Sequence, residues 1–277
     1  MTSHHSEKGS LVNRIKQLTG LFTLAASCVL ASSHALADHS DRNPNVSEVK
    51  AWDTVKVSRI PGGIYLRTQD DPNDLIWDRL PKYRTNLLPA PPVHQSVGLR
   101  FDEGATRGKH VYFQVARSDE RLYIRMHWKD ATEDRGTTVD GFRDGVAVQF
   151  ALNDVDTSYM MGTDHENPVN IWYWRADDDK VENLAAGGYG STTALQKQNV
   201  TGASEYFFDE VPADRQWNVV MSRPFEPDGE YEVNFDRETI PIGFAVWQGS
   251  DKERDGNKRV THTWILLDTS LDSKTRN

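Results

Sequence analysis

The chain has 277 residues, with 32 basic against 41 acidic side chains and a net charge of −9. That balance excludes nucleic acid and anionic membrane surfaces as partners, because both require basic patches. Cys28 is the single cysteine, which excludes a disulfide framework and cysteine-held zinc or iron–sulfur sites.

Residues 1–37 read as a secretory leader. Lys8, Arg14 and Lys16 form a positive start, Leu21 to Ala31 is apolar, and Ala35-Leu36-Ala37 satisfies the small-residue cleavage rule. The mature chain is therefore expected to begin at Asp38 and to reside in the periplasm. A competing reading takes Ala25-Ala26-Ser27-Cys28 as a lipobox that leaves Cys28 acylated. The apolar run falls short of the roughly 20 residues of a membrane span, and no later segment approaches that length, so no span is expected. Once the leader is removed no cysteine remains, so any cofactor must be held by His, Met, Lys, Tyr or carboxylate.

Residues 38–54 are polar and aperiodic, a flexible lead-in or a segment that docks on a partner. From residue 55 to 267 the pattern has period two almost throughout. Val111, Phe113 and Val115 share one face of a strand; Leu122, Ile124, Met126 and Trp128 share one face of the next. Val146, Val148, Phe150 and Leu152 follow. Further strands are predicted over 170–174, 216–221, 230–235, 242–248 and 260–267, with turns at Asp177-Asp178-Asp179, Gly187-Gly188 and Pro227-Asp228-Gly229. No amphipathic helix of three turns interrupts them, which predicts an all-β fold, an antiparallel β-sandwich or closed barrel. Residues 268–277 read as a tail.

No nucleophile motif, phosphate loop, dinucleotide glycine pattern or zinc-binding helix is present, so the chain is not expected to catalyse a reaction itself. Soft and nitrogenous ligands gather instead in the second half. Met160-Met161-Gly162 places a thioether beside a glycine that leaves room for a flat macrocycle, and His165 follows. Trp172-Tyr173-Trp174 reads as core packing or as a carbohydrate-stacking platform. Lys258 shares its loop with Lys252, Arg254 and Arg259, and by residue type alone is an ordinary solvated charge. His262, alternating with Trp264 and Leu266, is the chemical rival, because a Met/His pair is a common haem ligation.

Three ordered blocks carry a resemblance. These are Asp140-Gly141-Phe142 with Asp144 to Phe150; Met161-Gly162 with Pro168 to Trp174; and Phe244 to Gly249 with Glu253-Arg254 and Gly256-Asn257-Lys258. Over about residues 55–267 the chain resembles the haem b (gamma) subunits of the type II dimethyl sulfoxide reductase family. The resemblance implies a β-sandwich with one non-covalent haem b among loops at one end, its iron held by Met161 and Lys258, with Trp172 and Trp174 beside it. Met160 stays an alternative ligand, since the stretch from Met161 to Pro168 is one residue longer than the family pattern, and His262 stays another. The partners implied are a molybdopterin-containing catalytic subunit, an iron–sulfur subunit and a soluble c-type cytochrome or similar carrier. A carbohydrate-binding module is the competing function.

Overall fold

The computed structural model describes residues 45–60, 70–93, 109–139, 141–153 and 156–270; the leader, the first seven residues of the lead-in and the end of the tail lie outside them. Strands are the dominant regular structure of the described chain, and the helices beside them are short 3-10 turns of three to five residues. One half of the sheet consists of β4 (Lys82–Pro89), β5 (Lys109–Arg117), β6 (Arg121–Lys129), β11 (Thr201–Phe207) and β12 (Gln216–Pro224), paired antiparallel in the order β4-β5-β6-β12-β11. The other half runs β10-β9-β8-β7-β13, from β7 (Gly145–Ala151), β8 (Val169–Arg175), β9 (Lys180–Ala186), β10 (Thr193–Ala194) and β13 (Thr239–Trp247).

The short β14 (Arg259–Val260) bridges β13 to β4, so the sheet curls over and its halves face each other. The remaining strands are β1 (Val46–Glu48), β2 (Thr54–Lys56), β3 (Ser58–Arg59) and β15 (Ile265–Asp268). β1, β2 and β3 pair in parallel, with β4, β15 and β5.

Period-two alternation supplies the core. Phe113, Met126, Trp128, Trp217 and Met221 of the first half meet Val148, Phe150, Trp172, Trp174 and Phe244 of the second in one buried cluster. Ring contacts cross the interface, with Phe113 and Phe244 centroids 4.7 Å apart and Trp174 and Trp217 centroids 4.9 Å apart. The all-β sandwich expected from the sequence is the fold observed.

Two predicted strands differ. Residues 230–235 bury Val233 and Phe235 but form no strand. Side chains take the place of a neighbouring strand there: Asn170 Oδ1 accepts from the Val233 amide at 3.2 Å, and Arg223 donates to the Val233 carbonyl. The predicted strand over 260–267 is split into β14 and β15, and the exposed His262 lies between them.

Candidate functional site

A cavity of about 650 Å³ opens on the outward face of β7, β8 and β13, opposite the core. Its floor exists because the outward residues are small. Ala147 pairs with Ala245 on one side and Tyr173 on the other, and Gln149 pairs likewise with Gly243 and Ile171. A side chain at Gly243 would press on Thr261 and Gln149, with the added Cβ 3.0 and 3.1 Å from their polar atoms. Tyr159, Met160, Met161, Tyr189 and Gly190, with Phe142, Arg143, Arg254, Asp255 and Lys258, complete the lining. The cavity lies against a strand face and is roofed by loops.

Met161 is presented by a tight turn. It has φ 67° and Gly162 has φ 86°, two consecutive left-handed residues. Only glycine suits position 162, because a Cβ there would stand 2.7 Å from the Ala186 carbonyl oxygen and 3.0 Å from that of Asn167. The left-handed methionine costs about 1–2 kcal/mol, and such strain persists where surrounding contacts over-determine the backbone. Those contacts are visible: the Gly188 amide donates to the Met161 carbonyl at 2.8 Å, and Gly162 donates to Ser158 at 3.0 Å.

Lys258 directly precedes β14, and its carbonyl accepts from the Ala90 amide at 2.8 Å. The loop leading to it is fixed by the buried Arg259–Glu253 pair at 2.7 Å and by Glu253 accepting from the Gln248 amide at 2.9 Å. The Lys258 amine lies 3.6 Å from Met161 Sδ and 4.8 Å from the centre of the Trp247 ring. Lys258 as a whole is half-buried. Burial pulls its pKa down to about 8, against a partial opposing pull from Asp255. A thioether and an amine whose hold on its proton is weakened thus converge inside a largely apolar hollow.

The other expected site residues fall differently. Trp172 and Trp174 are fully buried and point into the core, where Trp172 packs 4.8 Å from Phe150 and Trp174 packs on Trp217. The strand turns Ile171 and Tyr173 to the cavity in their place, so neither tryptophan is part of its lining and the three aromatics do not share one face. Met160 lines the cavity beside Met161. His262 is exposed and outside the lining; its Nε2 is 2.8 Å from the Pro89 carbonyl oxygen, and its ring stacks on Tyr159 at 6.1 Å. His165 is exposed and also outside the lining. The lining residues missed from sequence had a legible signal in Gly145-x-Ala147 and Gly243-x-Ala245, small residues alternating with large apolar ones.

Comparison with known proteins decides the kinship. Residues 50–212 match the family model described as ethylbenzene dehydrogenase. The chain belongs to the gamma-subunit family of that name. It is 50% identical over 255 residues to the dimethylsulfide dehydrogenase subunit gamma of Rhodovulum sulfidophilum, covering 91% of this chain and 96% of that one. Identity to the chlorate reductase subunit gamma of Ideonella dechloratans is 36%, covering 77% and 83% of the two chains. A Haloferax mediterranei protein named as a respiratory nitrate reductase heme subunit is 35% identical over 69% of this chain and 65% of its own. Among solved structures, a family 9 carbohydrate-binding module from Caldicellulosiruptor kristjanssonii in complex with glucose gives a TM-score of 0.41 at 12% identity, over 80% of this chain and 98% of that one. Nothing functional follows from a likeness that loose.

Proposed function

We propose that the cavity holds one haem b and that the chain relays single electrons between the iron–sulfur subunit of a molybdenum oxidoreductase and a soluble carrier such as a c-type cytochrome. The convergence of Met161 Sδ and Lys258 Nζ, 3.6 Å apart inside the cavity, carries this reading. Haem, when bound, would supply reversible one-electron chemistry. The volume lies within the range of cofactor sites, roughly 300–1,000 Å³, and the donor set suits iron.

Each lining group has a part. Met161 offers a soft thioether, a ligand type that favours a higher potential. Lys258 offers a lone pair at small cost because burial has already weakened its hold on the proton. Ile171, Leu184, Ala147 and Ala245 keep water from the hollow. Attachment is non-covalent, since the only cysteine of the sequence, Cys28, lies in the leader. The names of the relatives, gamma subunits and a heme subunit, support assembly with a molybdopterin-containing subunit and an iron–sulfur subunit. The leader reading supports a periplasmic location. Among the described residues no helix is long and apolar enough to cross a membrane.

The purified protein is expected to show a Soret band that sharpens with dithionite, and acidified acetone should extract the haem. A colourless protein that takes up no added haem, or haem that stays with the polypeptide, overturns the reading. A phenylalanine at position 245 tests the location. Ala245→Phe would extend a ring into the cavity from the floor of β13, so haem uptake should fall by more than about tenfold while the circular dichroism spectrum stays unchanged. Unimpaired uptake by this variant would place the haem elsewhere.

A further inference from the structure

The cavity has a polar end and an apolar end, and a haem has the same asymmetry, with two carboxylates on one edge. Strand register defines the ends. Gly145, paired with Trp247 and Arg175, marks one; Gln149, paired with Gly243 and Ile171, marks the other. Arg143, two residues before Gly145, and Arg254, in the loop that follows Trp247, both line the cavity at the first end.

Their guanidinium groups are incompletely matched. The Nε of each is buried and makes no well-formed hydrogen bond, although that of Arg143 faces Asp177 and that of Arg254 faces Asp255. Arg254 stacks on Phe142 with its Cζ 4.4 Å from the ring centre, and its ion-pair contact with Asp255 is a loose 3.9 Å. Arg143 reaches Asp177 at 3.3 Å and donates to Thr137 at 3.3 Å, and it also contacts the Tyr173 hydroxyl. Other acids of the lining have partners of their own: Glu253 is held by Arg259 at 2.7 Å and Glu182 lies 3.7 Å from Arg175. Stacking on Phe142 fixes the plane of the Arg254 fork, the arrangement that suits bidentate capture of a carboxylate.

Resting on the haem reading, we infer that Arg254 and Arg143 form a carboxylate-binding end of the cavity and receive the two haem propionates. The porphyrin then has one orientation, with its propionate edge beneath the loops that carry the two arginines and its apolar edge toward Gly243 and Ile171. Arg254 contributes the larger share because Arg143 is already tied to Asp177.

The test uses the full chain, stripped of haem and reloaded with either free-acid haem or haem dimethyl ester. The rate of loss to an apomyoglobin scavenger is then measured. Arg254→Gln should speed loss of the free-acid form by about tenfold and leave the ester rate unchanged, because the ester has no charge to lose. Arg254→Lys should recover part of the difference, and adding Arg143→Gln should increase it. Equal acceleration of both forms, or of neither, overturns the inference while leaving the haem site standing. A wild-type apoprotein that takes up neither form overturns the haem reading itself, and this inference with it. Melting of each apoprotein before loading shows that the variants fold.

Discussion

Lys258→Ala is expected to turn a six-coordinate, low-spin haem into a high-spin or water-ligated one and to weaken haem binding by more than about a hundredfold. The argument begins with protonation. A lysine of ordinary pKa presents its lone pair in only about one molecule in three thousand at pH 7, whereas one near 8 does so in about one in ten. Burial has therefore carried Lys258 most of the way toward a ligand. Among the described residues no other amine and no imidazole lines the cavity. Lys252 is an exposed left-handed residue, Arg254 and Arg259 have no lone pair to give, and His262 is outside the cavity lining. Lys252→Ala and His262→Ala should accordingly leave the spectrum as it is. Met161→Ala should remove the thioether-to-iron charge-transfer band and lower the potential. If His262→Ala abolishes the low-spin form while Lys258→Ala does not, the assignment is wrong and a Met/His pair replaces it.

The sandwich was legible because its inner faces alternate without interruption, as in Leu122, Ile124, Met126 and Trp128 of β6, all of them buried. β11 was not legible. Its sequence, Thr-Gly-Ala-Ser-Glu-Tyr-Phe, has no fully buried position, and it forms the edge of its half of the sheet. At residues 230–235 the alternation was genuine burial, but side-chain donors and acceptors answer the backbone there in place of a strand. The site shows a different limit. Periodicity puts Trp172 and Trp174 on one face and Tyr173 on the other, yet it does not say which face meets the core; large residues drew attention while the small ones made the hollow. Met161 and Lys258 are separated by 97 positions, and no local pattern joins them. They were legible only through the resemblance. What brings them together is the turn at Gly162 pressed against Ala186 and the lodging of β14 beside β4.

The roof of the cavity depends on the Asp144 carboxylate, and Asp144→Ala is expected to cost the protein at least about 3 kcal/mol. Asp144 is fully buried, and its two oxygens accept from the Gly249 amide at 2.8 Å, the Asp134 amide at 2.8 Å and Trp217 Nε1 at 2.9 Å. Alanine would orphan three N–H groups at about 1–3 kcal/mol each, a fall of roughly 6–12 °C in Tm for the lower figure. Two of those donors belong to the loops that carry Arg143 and Arg254, so haem affinity should fall as well. The neighbouring Asp130 is expected to act in the opposite direction. It is almost completely buried; Oδ1 accepts from Gln248 at 3.0 Å and from the Thr132 amide at 3.2 Å, and Oδ2 has no partner. Oxygens of Asp130, Asp134 and Asp144 lie within 4.8 Å of one another. Burial, then the charge of Asp144, pushes Asp130 up to about 8 from 3.8; burial, against those donated hydrogen bonds, pushes Asp144 up to about 6. The folded state therefore holds protons that the unfolded chain has released. The stabilisation associated with this is fully present below about pH 4 and is lost as the pH climbs through 6 and then 8. Asp130→Asn removes the repulsion and sets an N–H donor where the unpartnered oxygen stands, so its Tm should exceed that of the wild type at pH 8 and vary less between pH 6 and 8. Melting curves at pH 5, 6, 7 and 8 check both variants; a wild-type Tm that rises steadily from pH 5 to 8, or an Asp144→Ala protein as stable as the parent, contradicts the account.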